Sequence, residues 1–187
     1  MLDRSNPDQA TVRLLAGRGK HERVFEEVAV EAVSLHRYRL LASPGLLDGL
    51  AAGDVFDRRD DGSYVVVTRS GNLCIQLWYP NQDLHSRVDG ELLPDVQELG
   101  GWLDGRSPGV SVFTVPLNAT FARIEPVFDQ WVATAAGSGW SFANVYADDG
   151  TTPLGWWESP DVLDRSGRLG SDRACLFRPT RSTESRF

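Results

Sequence analysis

The feature that most constrains the fold is a change in hydrophobic period near the middle of the chain. Within residues 24–79, apolar side chains recur at every second position in residues 28–33, and Tyr38-Arg-Leu40 repeats the alternation. A period of two is typical of β-strands. The Asp61-Gly62 pair lies between two further β-rich runs and predicts a hairpin, because glycine readily adopts positive φ. The first half is therefore predicted to be a series of short antiparallel strands.

Beyond residue 90 the period becomes helical. An amphipathic helix is predicted because four apolar side chains recur at i, i+4, i+7 and i+11, namely Leu92, Val96, Leu99 and Leu103. Pro94 fits the first turn of this helix, and Pro126 fits the first position of a second helix that ends at Gly137. Strands are predicted before, between and after the two helices, at residues 73–79, 110–115 and 140–146.

Together these patterns predict an α+β fold, in which an N-terminal antiparallel β portion precedes a split β-α-β-α-β layer. Two helices are expected on one face of a mixed sheet. The chain has 187 residues, which is enough to bury a core without a disulfide or a metal. A single α+β domain is predicted over residues 21–147. Residues 1–20 are predicted to be a flexible N-terminal arm, and residues 148–187 a partly ordered C-terminal extension.

The charge balance excludes one class of partner and favours another. With 26 acidic and 19 basic side chains, the formal net charge is −7. Direct binding to nucleic acid is not expected, because proteins that bind it replace counterions with lysine and arginine. A basic protein partner is favoured instead, since a negative surface accelerates encounter with a positive one.

No cofactor, metal or membrane is expected from the sequence. Cys74 and Cys175 lie far apart and neither belongs to a CxxC pair, so the spacing of a zinc site is missing. No window reaches the ~18 consecutive apolar residues of a membrane span. Residues 1–10 lack the apolar stretch of a secretory signal. We therefore expect a cytoplasmic protein.

Several landmarks within residues 24–146 occur in an order and spacing typical of one family. They are Tyr38-x-Leu40, Pro44, Ala52-Gly53-Asp54, the Asp61-Gly62 turn, Val115-Pro116, and Pro126 opening a helix that leads to Trp140-x-Phe142. On these landmarks the chain resembles the bacterial family called Domain of Unknown Function 4265. The family has no established catalytic residues to carry over, and by analogy it implies an immunity-like or partner-binding role. The chain departs from the family in lacking an acidic cluster after the Trp140 strand and in carrying an extra segment with Trp156-Trp157.

Acidic and tryptophan side chains form the candidate partner-binding site. At 100° per residue, one flank of the first predicted helix carries Glu91, Asp95, Glu98 and Trp102. Trp156 and Trp157 lie in a polar segment, and adjacent strand residues point to opposite faces, so one indole is expected to be presented to a partner. Two alternatives stay open: Trp102 widens the buried stripe, and the Trp156-Trp157 segment fills a groove on the domain.

The leading functional hypothesis is a non-enzymatic protein-binding module, of the immunity or antitoxin type, that blocks a basic partner. No catalytic residue is predicted. The first alternative is a small hydrolase or group-transfer enzyme that uses Asp54, His36, His85 or Cys74, in which case two or more of these side chains converge in one concave pocket. The second alternative is a dimeric scaffold with a large apolar two-fold interface.

Overall fold

A computed structural model describes residues 9–18, 23–147, 149–159 and 162. Its strands form two sheets, and every strand pairing is antiparallel. The first sheet has the order β1-β2-β3-β4-β5, comprising β1 (Gln9–Arg18), β2 (Arg23–Ser34), β3 (Arg37–Leu40), β4 (Val55–Arg58) and β5 (Tyr64–Thr68). The second has the order β7-β8-β6-β9, comprising β6 (Asn72–Trp78), β7 (Trp102–Ser107), β8 (Val110–Pro116) and β9 (Gly139–Phe142).

The helices pack on one face of the second sheet. They are α1 (His85–Arg87), a π-helical turn (Val88–Leu92), α2 (Leu93–Glu98) and α3 (Phe121–Thr134), with short 3₁₀ turns at Gln82–Leu84, Leu117–Ala119 and Trp156–Glu158. The architecture is α+β, as the change of period predicts. Within the described residues, none of these helices combines the length and the apolar character that crossing a membrane requires.

The main core lies between the second sheet and the helices. Alternate residues of β6, Leu73, Ile75 and Leu77, are fully buried on the helix side of this sheet. Phe113 of β8 meets Phe128 of α3 edge-on, with ring centroids 5.6 Å apart. Burial of such large apolar side chains contributes about 1.5–3 kcal/mol each, so this interface holds the helices in place.

The first sheet packs around a smaller core of its own. Leu14, Val30 and Phe56 are fully buried in this core. The predicted hairpin is confirmed: Gly62 has φ of +85° between β4 and β5. The Leu15 amide donates to the Gly62 carbonyl at 2.9 Å, which brings β1 against this turn.

Two expectations about sheet structure were wrong. Residues 9–18 form a full strand rather than part of a flexible arm, because Val12, Leu14 and Ala16 alternate and pack into the first core. The second sheet is antiparallel rather than mixed, because β7 follows the first helices and forms a hairpin with β8. The first predicted helix extends to Leu103 and so overlaps the first residues of β7.

Two helix boundaries also differ from the predicted ones. The first helical segment ends at Glu98, because Gly100 adopts φ of +77° and forms a Schellman motif, in which Gly100 donates to Gln97 and Gly101 donates to Val96. Trp102 therefore begins a strand. Pro126 lies inside α3 rather than at its start. Pro126 has no N–H to donate to the carbonyl of Ala122, and Ala122 is an exposed residue.

Candidate functional site

Residues 41–54, between β3 and β4, pack against the face of the second sheet that lies opposite the helices. Ala51 joins a small buried cluster with Cys74, Val112 and Ala143 of the second sheet. The Gly49 amide donates to the Ala143 carbonyl at 2.7 Å. The first sheet is thus docked on the second through this connecting segment.

A continuous hydrogen-bonded network lies along this junction. We call it the polar seam, and it consists of Ser43, Ala52, Asp54, Ser70, Asp104 and Thr114. Ser43 and Thr114 are buried, with their hydroxyl oxygens 2.5 Å apart. Because Thr114 donates to the Asp104 carboxylate, it accepts from Ser43, and Ser43 in turn accepts from the Ala52 amide at 2.9 Å. This assignment gives Ser43 and Thr114 one donor role each, directed towards the Asp104 end of the polar seam.

One end of the polar seam reaches the surface at Trp102. The Asp104 carboxylate accepts from Thr114 through one oxygen and from the Trp102 indole N–H, at 3.0 Å, through the other. Burial raises the pKa of Asp104 above its usual range, and the hydrogen bonds from Thr114 and Trp102 offset part of that rise. The indole of Trp102 is therefore held at a fixed orientation while 40% of its surface stays exposed.

Asp54 lies at the other end of the polar seam and is fully buried. Its carboxylate accepts four hydrogen bonds, from the amides of Ala51 and Ser70, the Ser70 hydroxyl and the Arg69 guanidinium. Burial raises the pKa of Asp54, and the positive charge of Arg69 opposes this rise. The one proton of the Ser70 hydroxyl is shared between the Asp54 carboxylate, at 3.0 Å, and the Ala52 carbonyl, at 2.9 Å, and the contact with Ala52 connects this end to Ser43.

Arg69 is fixed from three sides. Its Nη1 donates to the Gly49 carbonyl and to Asp54, 3.0 Å from the carboxylate oxygen. The guanidinium carbon lies 5.2 Å from the ring centroid of Trp156, within the range of a cation–π contact. Trp156 is itself held, because its indole N–H donates to the Asn144 carbonyl at 2.6 Å. The side chain of Arg69 is 16% exposed.

An open cleft of about 430 Å³ lies at the Arg69 end of the polar seam. Its lining comes from the segment before β4, from β5 and the residue after it, and from the 146–154 loop: Gly49, Tyr64, Val66, Arg69, Tyr146, Ala147, Asp149 and Leu154. The loop is closed by a β-bridge between Tyr146 and Pro153. Asp149 accepts from the Thr151 and Thr152 amides and from the Thr152 hydroxyl, and these bonds, chiefly that from the hydroxyl, lower its pKa.

The acidic residues and Trp102 do not share one helical flank. Asp95 and Glu98 are exposed on α2, whereas Glu91 lies in the π-helical turn and is bound by Arg87 at 2.7 Å. Trp102 pairs with Thr114 in the sheet, so its side chain points to the face of the polar seam, away from the helices. The expectation of a single flank was wrong, because the helix ends four residues before Trp102.

The two adjacent tryptophans have structural contacts. Trp157 is 1% exposed and belongs to the main core, where its ring lies 5.5 Å from that of Phe121. Trp156 is half-buried against Arg69. Trp157 is therefore the indole that packs and is not presented to a partner, and presentation of Trp156 stays a prediction. The alternative, in which this segment fills a groove on the domain, describes the observed packing.

The side chains of the enzyme hypothesis do not converge. Cys74 is completely buried, and this burial raises the pKa of its thiol. His36 is exposed in the turn between β2 and β3, and His85 packs edge-on against Tyr79 at the start of α1, with ring centroids 5.5 Å apart. Asp54 lies in the polar seam. Among the residues that the structure describes, no group of three or more His, Cys, Asp or Glu side chains is arranged to hold a metal ion.

Sequence reasoning did not find Ser43, Arg69 or Thr114 as site residues. The signal for Thr114 was a polar residue inside the apolar strand Val110–Pro116. Buried polar side chains need partners, so a threonine in such a strand indicates a hydrogen-bond network. Ser43 and Arg69 carry no comparable local signal.

A known protein family matches the part of the chain that contains the polar seam. The family model described as Domain of unknown function (DUF4265) matches residues 26–140, more than half of the chain. The chain belongs to the DUF4265 family. The matched span contains the polar seam from Ser43 to Thr114 and also Trp102, whereas Trp156 and the 146–154 loop follow it.

The fold also occurs in a solved structure. It is similar to that of a hypothetical protein from Neisseria gonorrhoeae, with a TM-score of 0.54 and 14% sequence identity over 73% of this chain and 93% of that chain. At this identity the similarity concerns the fold alone. No match was found among curated proteins.

Proposed function

We propose that this DUF4265 protein is a non-enzymatic protein-binding module that engages a basic partner through the surface around Trp102. The observation that carries the proposal is the exposed indole of Trp102, fixed in orientation by Asp104. Tryptophan is enriched among the few residues that contribute most of the binding energy at protein interfaces.

The support for Trp102 as an anchor is energetic. Binding costs free energy for every side chain that has to be ordered, about 0.5–1.5 kcal/mol for a rotamer-rich one. The hydrogen bond to Asp104, which is itself bound by Thr114, already holds this indole in one orientation. A partner therefore meets a surface that needs little reorganisation, which favours a tryptophan as the main contributor to affinity.

The support for a basic partner is the charge of the molecule. The net charge is −7, and two carboxylates of α2, Asp95 and Glu98, are exposed close in sequence to Trp102. A net negative charge steers a positive partner towards the protein as a whole. The face of an indole is also the best aromatic acceptor for a lysine or arginine side chain. A role of the immunity or antitoxin type, in which the chain blocks its partner, is the specific form of this proposal.

The test is affinity capture from a native lysate with three immobilised forms of the full chain: wild type, Trp102→Ala and Leu35→Ala. Leu35 is 86% exposed in the turn between β2 and β3, so it controls for loss of an exposed apolar side chain elsewhere. We expect one basic protein to be retained by the wild type and by Leu35→Ala, lost with Trp102→Ala, and released by high salt. Equal retention by all three forms would reject the Trp102 surface.

A further inference from the structure

The edge of the first sheet at β5 has the geometry of a site for strand addition. β5 is the last strand of this sheet and, within the described residues, pairs with β4 alone. In an antiparallel pair, residues alternate between those that exchange both hydrogen bonds and those whose N–H and C=O point away from the partner. The register of β5 therefore decides which of its backbone groups face the edge.

That register leaves the backbone of Val66 directed outwards. The Arg59 amide donates to the Ser63 carbonyl, so this is a hydrogen-bonded pair, and two residues further along Asp57 and Val65 form the next one. Val66 lies opposite Phe56 at the intervening, non-hydrogen-bonded position. Its N–H and C=O thus point to the edge, where an added strand would pair with them.

The side chains of β5 lack the usual protection of an edge strand. Natural edges carry charged residues or proline, which discourage pairing. On the outer face of this sheet the interior strands carry the charges, in the pairs Arg37–Asp57 and Arg39–Glu31. β5 instead carries Val65 and Val67, which are 46% and 44% exposed. An uncharged, β-branched edge favours an apolar strand as its neighbour.

The cleft lies where the inward side chains of such a strand would point. Tyr64 and Val66 both line the cleft, and residues opposite them on an added strand share their face of the sheet. The far wall contributes Tyr146 and Leu154. The two charged side chains of the cleft are already bonded within the chain: Arg69 donates to Asp54, and Asp149 accepts from the Thr152 hydroxyl. The cleft therefore suits an apolar or aromatic side chain rather than a charged one.

We propose that β5 binds an extended segment of a partner protein, which adds as a further strand and inserts apolar side chains at alternate positions into the cleft. The 146–154 loop forms the wall facing β5, so the space admits one extended chain more readily than the edge of a second copy of this protein. Main-chain pairing supplies affinity in this mode, and the cleft supplies specificity. The site is separate from the Trp102 surface and does not depend on it.

The test uses a display library of linear peptides, selected on the full chain, and then the most enriched peptide in synthetic form. We expect enriched sequences to alternate apolar residues with other residues. Val66→Pro removes the outward N–H without removing a bond to β4, a change that edge strands tolerate. Val66→Ala is the matched control, because it shortens the same side chain and keeps the N–H. We expect Val66→Pro to bind the peptide about tenfold or more weakly than Val66→Ala.

Amide hydrogen exchange of the wild type keeps the proposal testable if Val66→Pro does not fold. In the peptide complex the Val66 amide should gain protection, while the Val65 amide, already bonded to β4, should change little. Three results would overturn the proposal: no peptide is enriched, both Val66 variants bind equally, or the Val66 amide exchanges as before. Dimerisation that Val66→Pro abolishes, without any peptide, would also overturn it by showing a second copy at this edge.

Discussion

Removal of the Asp54 carboxylate tests whether the polar seam holds the two sheets together. In Asp54→Ala, the amides of Ala51 and Ser70 and the Arg69 guanidinium all lose a buried acceptor. Each buried donor without a partner costs about 1–3 kcal/mol. The losses overlap, because neighbouring groups relax together. We therefore expect the free energy of unfolding to fall by about 3–5 kcal/mol, as when one partner of a buried ion pair is removed.

The matched control is Asp57→Ala, three residues along the chain. Asp57 also forms an ion pair, and its 2.7 Å distance to Arg37 is shorter than the 3.0 Å between Asp54 and Arg69. Both side chains of the Asp57 pair are exposed, at 39% and 43%, so little change in stability is expected. Chemical denaturation curves with a common slope measure both variants. A loss below about 1 kcal/mol for Asp54→Ala, or equal losses for the two, would refute the reasoning.

Three further predictions concern the core, a tight turn and the pH dependence. Trp157→Ala should lower the free energy of unfolding by about 3–5 kcal/mol, measured by denaturation, because it empties a buried aromatic site. Gly101→Ala should cost about 1–3 kcal/mol in the same assay, since its Cβ would lie 2.8 Å from the Thr114 carbonyl oxygen; an unchanged midpoint would contradict this contact. Burial raises the pKa of Asp104 above its ordinary 3.8, so the contribution of Asp104 to the stability of the wild type falls as pH rises from 3.8 through the folded-state pKa, and Asp104→Asn lacks this contribution. Thermal melts across this pH range should show the Tm of Asp104→Asn rising relative to that of the wild type as pH increases. The opposite trend would be inconsistent with a raised pKa of Asp104.

The elements that depend on local sequence were predictable. β2 and β3 follow from alternation, and the β4–β5 hairpin follows from Asp61-Gly62 between two β-rich runs, because a glycine at positive φ specifies such a turn. The family resemblance is likewise confirmed by the match over residues 26–140. In each case the signal lies within a few neighbouring residues or in their spacing along the chain.

The first helix shows why a periodic pattern alone was insufficient. Leu103 continued the spacing of Leu99 and so extended the predicted helix, but Gly100-Gly101 ends it in a Schellman motif. This glycine pair was the overlooked signal. Because this boundary was misplaced, Trp102 was predicted on a helical flank, whereas it is the first residue of β7. The predicted surface that joined Trp102 to the acidic side chains on one helix was wrong for the same reason.

The polar seam was out of reach for a different physical reason. Ser43 and Thr114 are 71 residues apart, and neither neighbourhood indicates that the two hydroxyls meet. Asp54 was recognised as a landmark of the family, yet its role as an acceptor of four hydrogen bonds depends on how the connecting segment docks on the second sheet. Such contacts are set by tertiary packing, which hydrophobic periodicity does not encode.

The central proposal, partner binding at Trp102, is tested most directly by ¹⁹F NMR of the chain with its six tryptophans replaced by 5-fluorotryptophan. Trp102→Phe assigns one resonance and Trp157→Phe another. On addition of the captured basic protein, we expect the Trp102 resonance to shift or broaden, while that of the buried Trp157 stays in place. A complex that forms with the Trp102 resonance unchanged would contradict the proposed surface.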